Sequence, residues 1–184
     1  NFVGSRVFDV PIDQVTPELR RRVKAMSYGL VYGLSAYGLS NQLSISAGEA
    51  KEIMENYFER FGGVKRYLDE VVEQARRDGY TSTVFGRRRY LPELTSDNRV
   101  ARENAERAAL NAPIQGTAAD IIKVAMLRVD SALSGKTSRV LLQVHDELVV
   151  EVAPGELDEV REIVEREMDK AIELLVPLEV SAGT

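Results

Sequence analysis

The sequence predicts a mixed α and β fold in which helices dominate and the strands form small antiparallel hairpins. Most of the chain repeats apolar residues at helical spacing, between residues typical of helix caps. Two stretches depart from that pattern. YTSTVFGRRRYL, near residues 80–91, is rich in Thr, Val and Tyr, and in RVLLQVHDELVVEV two apolar runs flank His145-Asp146. We therefore expect a mainly helical α+β protein with two hairpins.

The first third of the chain reads as a series of helices. Thr16 and Pro17 have the residue types of an N-cap and of a first helical position, so a long helix is expected from Pro17 to about Leu34. Glycine and serine then interrupt the pattern, which predicts a turn and a short helix through Leu43. The S-x-x-E sequence at Ser46 is typical of a capping box and predicts another helix.

The middle of the chain combines helices with the first hairpin. A helix is expected from Val64 to Asp78, with Gly79 at its C′ position. Two short strands joined at Phe85-Gly86 follow. Because proline lacks the N–H group of a helix interior, Pro113 is expected to divide the next stretch into two helices, from about Asn98 to Leu110 and from about Gln115 to Leu133.

The last third is expected to contain the second hairpin and one more helix. The apolar runs predict two strands joined by a two-residue turn at His145-Asp146. After a turn at Pro154-Gly155, an amphipathic helix is predicted through Leu175 and the PLEV sequence, residues 177–180, as a closing strand. The residues predicted to face inward from this helix are Leu157, Val160, Ile163, Val164 and Met168.

Composition is that of an ordinary globular protein. Of 184 residues, 44% are hydrophobic and 29% charged, which suits one compact domain or two small lobes. The absence of cysteine excludes disulfides and thiolate metal sites. No apolar run reaches the roughly 18 residues of a membrane span, and no signal-peptide pattern is present. We expect a cytoplasmic protein without a membrane partner, and no obligate protein partner is evident.

Charge is unevenly distributed along the chain. The net charge is −5, but residues 1–112 hold 17 Lys and Arg against 15 Asp and Glu, a net charge of +2. Residues 113–184 hold 7 Lys and Arg against 14 Asp and Glu, a net charge of −7. Because polyanion binding depends on the local field, basic clusters such as Arg87 to Arg89 are compatible with nucleic acid. The alternative for that cluster is a solvated basic hairpin.

A cationic–aromatic row, formed by Arg20, Lys24, Tyr28 and Tyr32, lies on the first long helix. A four-residue spacing keeps these side chains on one slowly winding face over about 18 Å. Arg and Lys bind phosphate oxygens and an aromatic ring stacks on a base, so the row suits a nucleotide triphosphate. The alternative is a surface helix whose cations are simply solvated.

Two further sets of polar residues are candidates for function. A donor row, Arg107, Asn111 and Gln115, recurs every four residues and could read minor-groove acceptors without sequence preference, or could be ordinary helix-end polar groups. An acidic tip, Asp146 with Glu147, lies at the turn of the second hairpin beside His145. Carboxylates at such positions are otherwise ordinary turn residues.

Three motifs, in order and about 90 and 30 residues apart, resemble those of the family A DNA polymerases. The pattern R-x3-K-x3-Y-G-x2-Y-G resembles motif B, ERAALNAPIQGTAADIIK a primer-template-contacting segment, and QVHDE motif C. The resemblance covers the whole chain and implies fingers at residues 1–112 and part of the palm at 113–184. Ser27-Tyr28 and the GRRRYLPEL run resemble an actinobacterial form.

The resemblance also implies a role for each candidate residue. Arg20 and Lys24 would hold the incoming triphosphate, Tyr28 would stack near the sugar and base, and Tyr32 would lie beside the template base. The donor row, with Gln143 and His145, would contact DNA. Asp146 would be a Mg²⁺ ligand. The catalytic residues would be Asp146, Lys24 and Glu147, of which Glu147 would lie near the metal and be less essential. These roles imply that the row and the acidic tip face one cleft.

The implied activity is DNA-templated nucleotidyl transfer from deoxynucleoside triphosphates to a primer 3′-hydroxyl. In the family, two Mg²⁺ ions are held by the motif C Asp and by a motif A Asp, and no motif A segment is present here. We therefore expect a polymerase fragment that is inactive alone and whose parent serves DNA replication and repair at the bacterial nucleoid. The alternatives are a non-catalytic nucleic-acid-binding fragment and a structural domain.

Overall fold

The computed structural model describes residues 1–183, which form seven α-helices and two antiparallel hairpins. This confirms the predicted mainly helical α+β class. Short 3₁₀ turns occur at Ile12–Gln14 and Pro92–Thr95. The elements in chain order are α1 (Phe2–Phe8), α2 (Pro17–Val31), α3 (Ala36–Leu43), α4 (Ala47–Arg60), α5 (Gly62–Asp78), β1 (Tyr80–Ser82), β2 (Arg88–Tyr90), α6 (Arg99–Ala132), β3 (Arg139–Val144), β4 (Glu147–Glu151) and α7 (Leu157–Asp169).

The described residues divide into two compact units. Unit 1 comprises Asn1–Ser82 and Gly86–Pro113, and unit 2 comprises Thr83–Phe85 and the residues from Ile114 onwards. Each unit has its own apolar core. None of the helices described has the length and apolar composition required to cross a lipid bilayer.

Unit 1 is organised around α2, whose inner face is fully buried. Met26 and Leu30 of α2 are 0% and 3% exposed and pack with residues of α1, α3 and α4. A second cluster joins the end of α5 to the N-terminal half of α6. Its buried residues are Ala75, Leu91, Leu94, Ala105 and Ala109.

The predicted caps in unit 1 are present. Thr16 accepts a hydrogen bond from the Leu19 N–H group at 3.2 Å, with Pro17 at the first helical position. Ser46 and Glu49 form the reciprocal capping box of α4. Gly79 ends α5 in the left-handed conformation, with φ of 76°. Local residue chemistry therefore sets these boundaries.

Unit 2 packs the β3–β4 hairpin against the C-terminal half of α6 and against α7. Its buried core is Val129, Leu133, Val160 and Ile163. The hairpin contributes one face, and a register shift between Val140 and Leu142 leaves Leu141 without a paired residue on β4. The paired positions Leu142 and Val149 are exposed. The hairpin thus has one partly buried and one exposed apolar face.

The expected break at Pro113 is wrong, because α6 continues through this residue as a single 34-residue helix. Proline removes one hydrogen bond and costs about 3 kcal/mol in a helix interior. Here Pro113 is buried, and buried Ala109 and Ala125 pack the helix on either side of it. Tertiary packing therefore outweighs the local cost.

Other boundaries differ from expectation. The opening residues form α1, which was not predicted, and α5 begins at Gly62 rather than Val64. In the described chain α7 ends at Asp169 instead of Leu175, and residues 177–180 form no strand. A strand needs a hydrogen-bonded neighbour, and among residues 1–183 the strands β3 and β4 pair only with each other. Leu157, expected inward, is 44% exposed because it is the first residue of α7.

Candidate functional site

The cationic–aromatic row lies on the exposed side of α2, as its spacing predicts. Arg20, Lys24 and Tyr28 are exposed, while Met26 and Leu30 on the opposite side anchor the helix in the core. The Lys24 Nζ atom lies 5.7 Å from the centre of the Tyr28 ring, within the range of a cation–π contact. Lysine and tyrosine are therefore already adjacent without a ligand.

The two cations of the row have no carboxylate partner among residues 1–183. The neighbouring Arg22, by contrast, forms an ion pair with Glu18 at 2.8 Å, one turn earlier. The Arg20 and Lys24 side chains take part in no ion pair of the described chain. Their positive charge is thus available to an anionic ligand.

Tyr32, the last member of the row, lies just outside the helix at its C-cap position. The predicted helix to Leu34 is therefore three residues too long. Gly33 adopts φ of 71° and ends the helix. Tyr32 is 36% exposed, compared with 55% for Tyr28. The position of Tyr32 consequently depends on the turn that follows α2.

The donor row lies on helix α6. The Arg107 guanidinium is exposed and donates a hydrogen bond to the Asn104 side chain. Gln115 is exposed. The Oδ1 atom of Asn111 is buried and accepts no hydrogen bond from the described residues. An unsatisfied buried polar atom costs about 1–3 kcal/mol, so Asn111 is a candidate for a ligand contact.

The acidic tip is built as predicted from the sequence. His145 and Asp146 form the two-residue turn between β3 and β4, and Val144 pairs with Glu147. His145 has φ of 55°, a conformation that His adopts more readily than most residues. The Gln143 side-chain amide donates a hydrogen bond to the His145 carbonyl oxygen. Asp146 and Glu147 are exposed at the end of a braced hairpin.

The base of this hairpin is fastened by a network that the sequence did not predict. Buried Ser138 receives a 2.9 Å hydrogen bond from the Ala153 N–H group and donates its hydroxyl to Glu156. Glu156 also accepts the N–H groups of Ser138 at 3.0 Å and Thr137 at 3.3 Å. Hydrogen bonds from Ser138 lower the pKa of Glu156 below its ordinary value. The residues of this network lie far apart in the chain and follow no periodic spacing, so the sequence does not indicate that they are in contact.

The acidic tip offers Mg²⁺ too few ligands for a complete site. Carboxylate oxygens of Asp146 and Glu147 have the correct chemistry for this ion. However, residues 1–183 contain no cluster of three or more acidic, histidine or cysteine side chains able to hold a metal. The acidic tip therefore supplies only part of the ligand set that a Mg²⁺ site needs.

The smaller hairpin presents a cationic and aromatic surface. The Tyr80 and Tyr90 rings, paired across β1 and β2, lie 5.6 Å apart. The Arg88 guanidinium lies 4.5 Å from the centre of the Tyr80 ring, and a hydrogen bond to Tyr90 raises the pKa of Arg88. Arg88 is thus held by its own hairpin. Its contact with a nucleic-acid backbone stays a prediction.

The residues of the row and of the acidic tip belong to different units. Arg20, Lys24, Tyr28 and Tyr32 are in unit 1, and Asp146 is in unit 2. The expectation that they face one cleft stays a prediction, as do the individual roles of the site residues.

Comparison with known proteins gives a consistent result along the whole chain. The model of DNA polymerase family A matches residues 1–184. DNA polymerase I of Mycobacterium tuberculosis (strain ATCC 25618 / H37Rv) is 69% identical over 185 residues, covering 100% of this chain and 20% of the relative. The corresponding protein of Streptococcus pneumoniae serotype 4 is 52% identical over 176 residues, covering 94% of this chain and 20% of the relative.

A solved structure agrees with these relatives. The POL domain of Pol1 from M. smegmatis, in complex with DNA primer-template and dNTP, superposes with a TM-score of 0.94 at 70% identity. The superposition covers 98% of this chain and 32% of the M. smegmatis chain. The chain spans about a fifth of the length of the curated relatives it matches. The mycobacterial relatives agree with the actinobacterial form indicated by the sequence, and the chain belongs to DNA polymerase family A.

Proposed function

We propose that this chain selects the incoming nucleotide for DNA-templated DNA synthesis. Residues 1–112 act as the fingers and residues 113–184 as part of the palm of a DNA-directed DNA polymerase that serves DNA replication and repair at the nucleoid. The observation that supports this best is the exposed row on α2, in which unpaired Arg20 and Lys24 precede Tyr28 and Tyr32. Cations followed by aromatic rings match a triphosphate followed by a base.

The donor row is proposed to contact the primer-template near its growing end. Arg107, Asn111 and Gln115 can donate hydrogen bonds to the minor-groove acceptors that base pairs share. The donor of Asn111 in this contact is its side-chain NH₂ group, because its buried Oδ1 atom is an acceptor. Gln143 is proposed to contact DNA, and His145 is proposed to lie beside the primer terminus.

Asp146 is proposed as one ligand of a Mg²⁺ site, with Glu147 nearby. When bound, Mg²⁺ supplies charge neutralisation during phosphoryl transfer. The chain's own contribution is to hold the Asp146 carboxylate at a hairpin turn whose base is fixed by Ser138 and Glu156. Because the described residues lack a complete ligand set, another carboxylate is required for activity.

The alternative function is nucleic-acid binding without catalysis, which the incomplete ligand set favours for the chain alone. To separate the two, labelled primer-template is titrated at two salt concentrations, with or without each deoxynucleotide and Mg²⁺. The chimera for this test is M. tuberculosis DNA polymerase I with its matching segment replaced by this chain. Tighter binding and extension only with the matched deoxynucleotide support polymerase function, and equal binding with all four deoxynucleotides contradicts it.

A further inference from the structure

The turn that ends α2 has a defined geometry directly after Tyr32. The Leu34 N–H group donates to the Gly29 carbonyl at 2.8 Å, and the Gly33 N–H group to the Leu30 carbonyl at 3.0 Å. Together with the φ of 71° at Gly33, these bonds form a Schellman motif. The motif fixes the backbone on the C-terminal side of Tyr32.

This turn packs directly against the donor-row helix within unit 1. A Cβ atom at Gly33 would lie 3.1 Å from the Arg107 Cγ atom and 3.1 Å from the Leu110 Cδ1 atom. Both distances are shorter than ordinary carbon–carbon contacts. The aliphatic part of Arg107 therefore lies against the backbone of the residue that follows Tyr32.

We propose that Gly33 is a positioning residue that couples Arg107 to Tyr32. This proposal rests on the proposed function, in which Arg107 contacts the primer-template, and on the position beside the template base that the family resemblance implies for Tyr32. When a mispaired primer end displaces the Arg107 guanidinium, its stem shifts against Gly33. Close-packed groups transmit such displacements, so the backbone at Tyr32 moves and addition of the next nucleotide slows.

A double-mutant cycle in the chimera tests this coupling. Gly33→Ala is made with Arg107 present and with Arg107→Ala, and kcat and KM for the matched nucleotide are measured. With Arg107 present, we expect kcat/KM to fall by about 10-fold. With Arg107→Ala, that loss should be at least about threefold smaller, because the Cγ atom is gone. Equal losses in both backgrounds would overturn the proposal.

Gly33→Ala should also reduce the ratio of extension rates from matched and mismatched primer ends. A purely structural glycine would lower both rates by the same factor. Gly79→Ala is the matched control. Gly79 has a similar φ of 76°, but no atom of the described chain lies within 4 Å of the position that an added methyl group would occupy. It introduces the same backbone strain without the contact, and the extension ratio should stay unchanged.

Gly33→Asn distinguishes the effect of the steric contact with Arg107 from the effect of backbone strain at position 33. It also provides a second variant in case Gly33→Ala does not fold. Asparagine tolerates positive φ better than alanine but places a larger side chain against Arg107. We expect it to reduce kcat/KM at least as much as alanine does. A smaller loss with asparagine contradicts the proposal.

If Lys24→Ala and Arg107→Ala alone leave synthesis intact, the proposed function itself fails. If they impair it while the cycle is additive, only the coupling fails.

Discussion

Lys24 and Tyr28 show how single side chains are arranged on the proposed nucleotide surface. The Lys24 ammonium lies 5.7 Å from the Tyr28 ring centre, and both side chains are exposed. An exposed cation–π contact is worth about 0.5–1 kcal/mol, enough to bias the lysine side chain but not to hold it against a phosphate. The contact therefore biases the Lys24 side chain towards the Tyr28 ring while leaving it able to bind a phosphate.

Lys24→Ala in the chimera should reduce kcat/KM for deoxynucleotide addition by roughly 10- to 100-fold. The physical reason is the loss of a charge-assisted contact with the triphosphate. Single-nucleotide addition kinetics measure the effect. Lys51→Ala is the control, because Lys51 is an exposed lysine of α4 that pairs with Glu55. An equal effect of both variants would contradict a specific role for Lys24.

Tyr28→Phe should increase discrimination against dideoxynucleotides by roughly 10- to 100-fold. The Tyr28 hydroxyl can offer the hydrogen bond that a missing 3′-hydroxyl would otherwise make, and phenylalanine cannot. Competition between deoxy- and dideoxynucleotides in primer extension gives the ratio. Unchanged discrimination would argue against this position for the Tyr28 ring. Tyr37→Phe, at another exposed tyrosine, leaves the α2 row unaltered and provides a comparison.

At the scale of elements, the β3–β4 hairpin depends on its base for a rigid tip. Ser138 and Glu156 connect the start of β3 with the segment between β4 and α7. Lys136, whose side chain is only 19% exposed, adds an ion pair with Glu159 at 2.6 Å. Both interactions join the hairpin to the beginning of α7. The orientation of Asp146 thus depends on residues ten or more positions away in the chain, such as Glu156 and Lys136.

Glu156→Gln should destabilise the chain at pH 7 and have a smaller effect in acid. The folded-state pKa of Glu156 is lowered from 4.5, so its stabilisation is present above that value and is lost as the pH falls through the folded-state pKa. Thermal unfolding followed by circular dichroism between pH 3 and pH 7 measures this. Glu162→Gln, at an exposed position of α7, is the control. A pH-independent difference from wild type would contradict the assignment.

At the scale of the whole molecule, we expect the incomplete metal-ligand set to limit catalysis by the chain alone. The described residues provide the acidic tip but no group of three metal-ligating side chains. We expect the purified 184-residue chain to extend a primer at least about 1000-fold more slowly than the chimera, since metal ions supply several kcal/mol of transition-state stabilisation. Primer extension with Mg²⁺ measures this. Comparable rates would show that Asp146 and Glu147 suffice.

Several features of the fold follow from local sequence alone. The caps at Thr16 and Ser46, the glycine that ends α5 and the two-residue turn at His145-Asp146 are all confirmed. Each depends on interactions within about five residues, for which side-chain chemistry is sufficient. The exposed face of the cationic–aromatic row was predictable for the same reason, because helical periodicity is local.

The sequence by itself determined the family, the helical class and the surface on which the candidate residues lie. Only the tertiary structure decided that α6 runs through Pro113, that residues 177–180 are irregular and that Gly33 lies against Arg107. These features depend on contacts between segments far apart in the chain. Packing free energy summed over such contacts exceeds the preference of any one residue, so local rules cannot anticipate them.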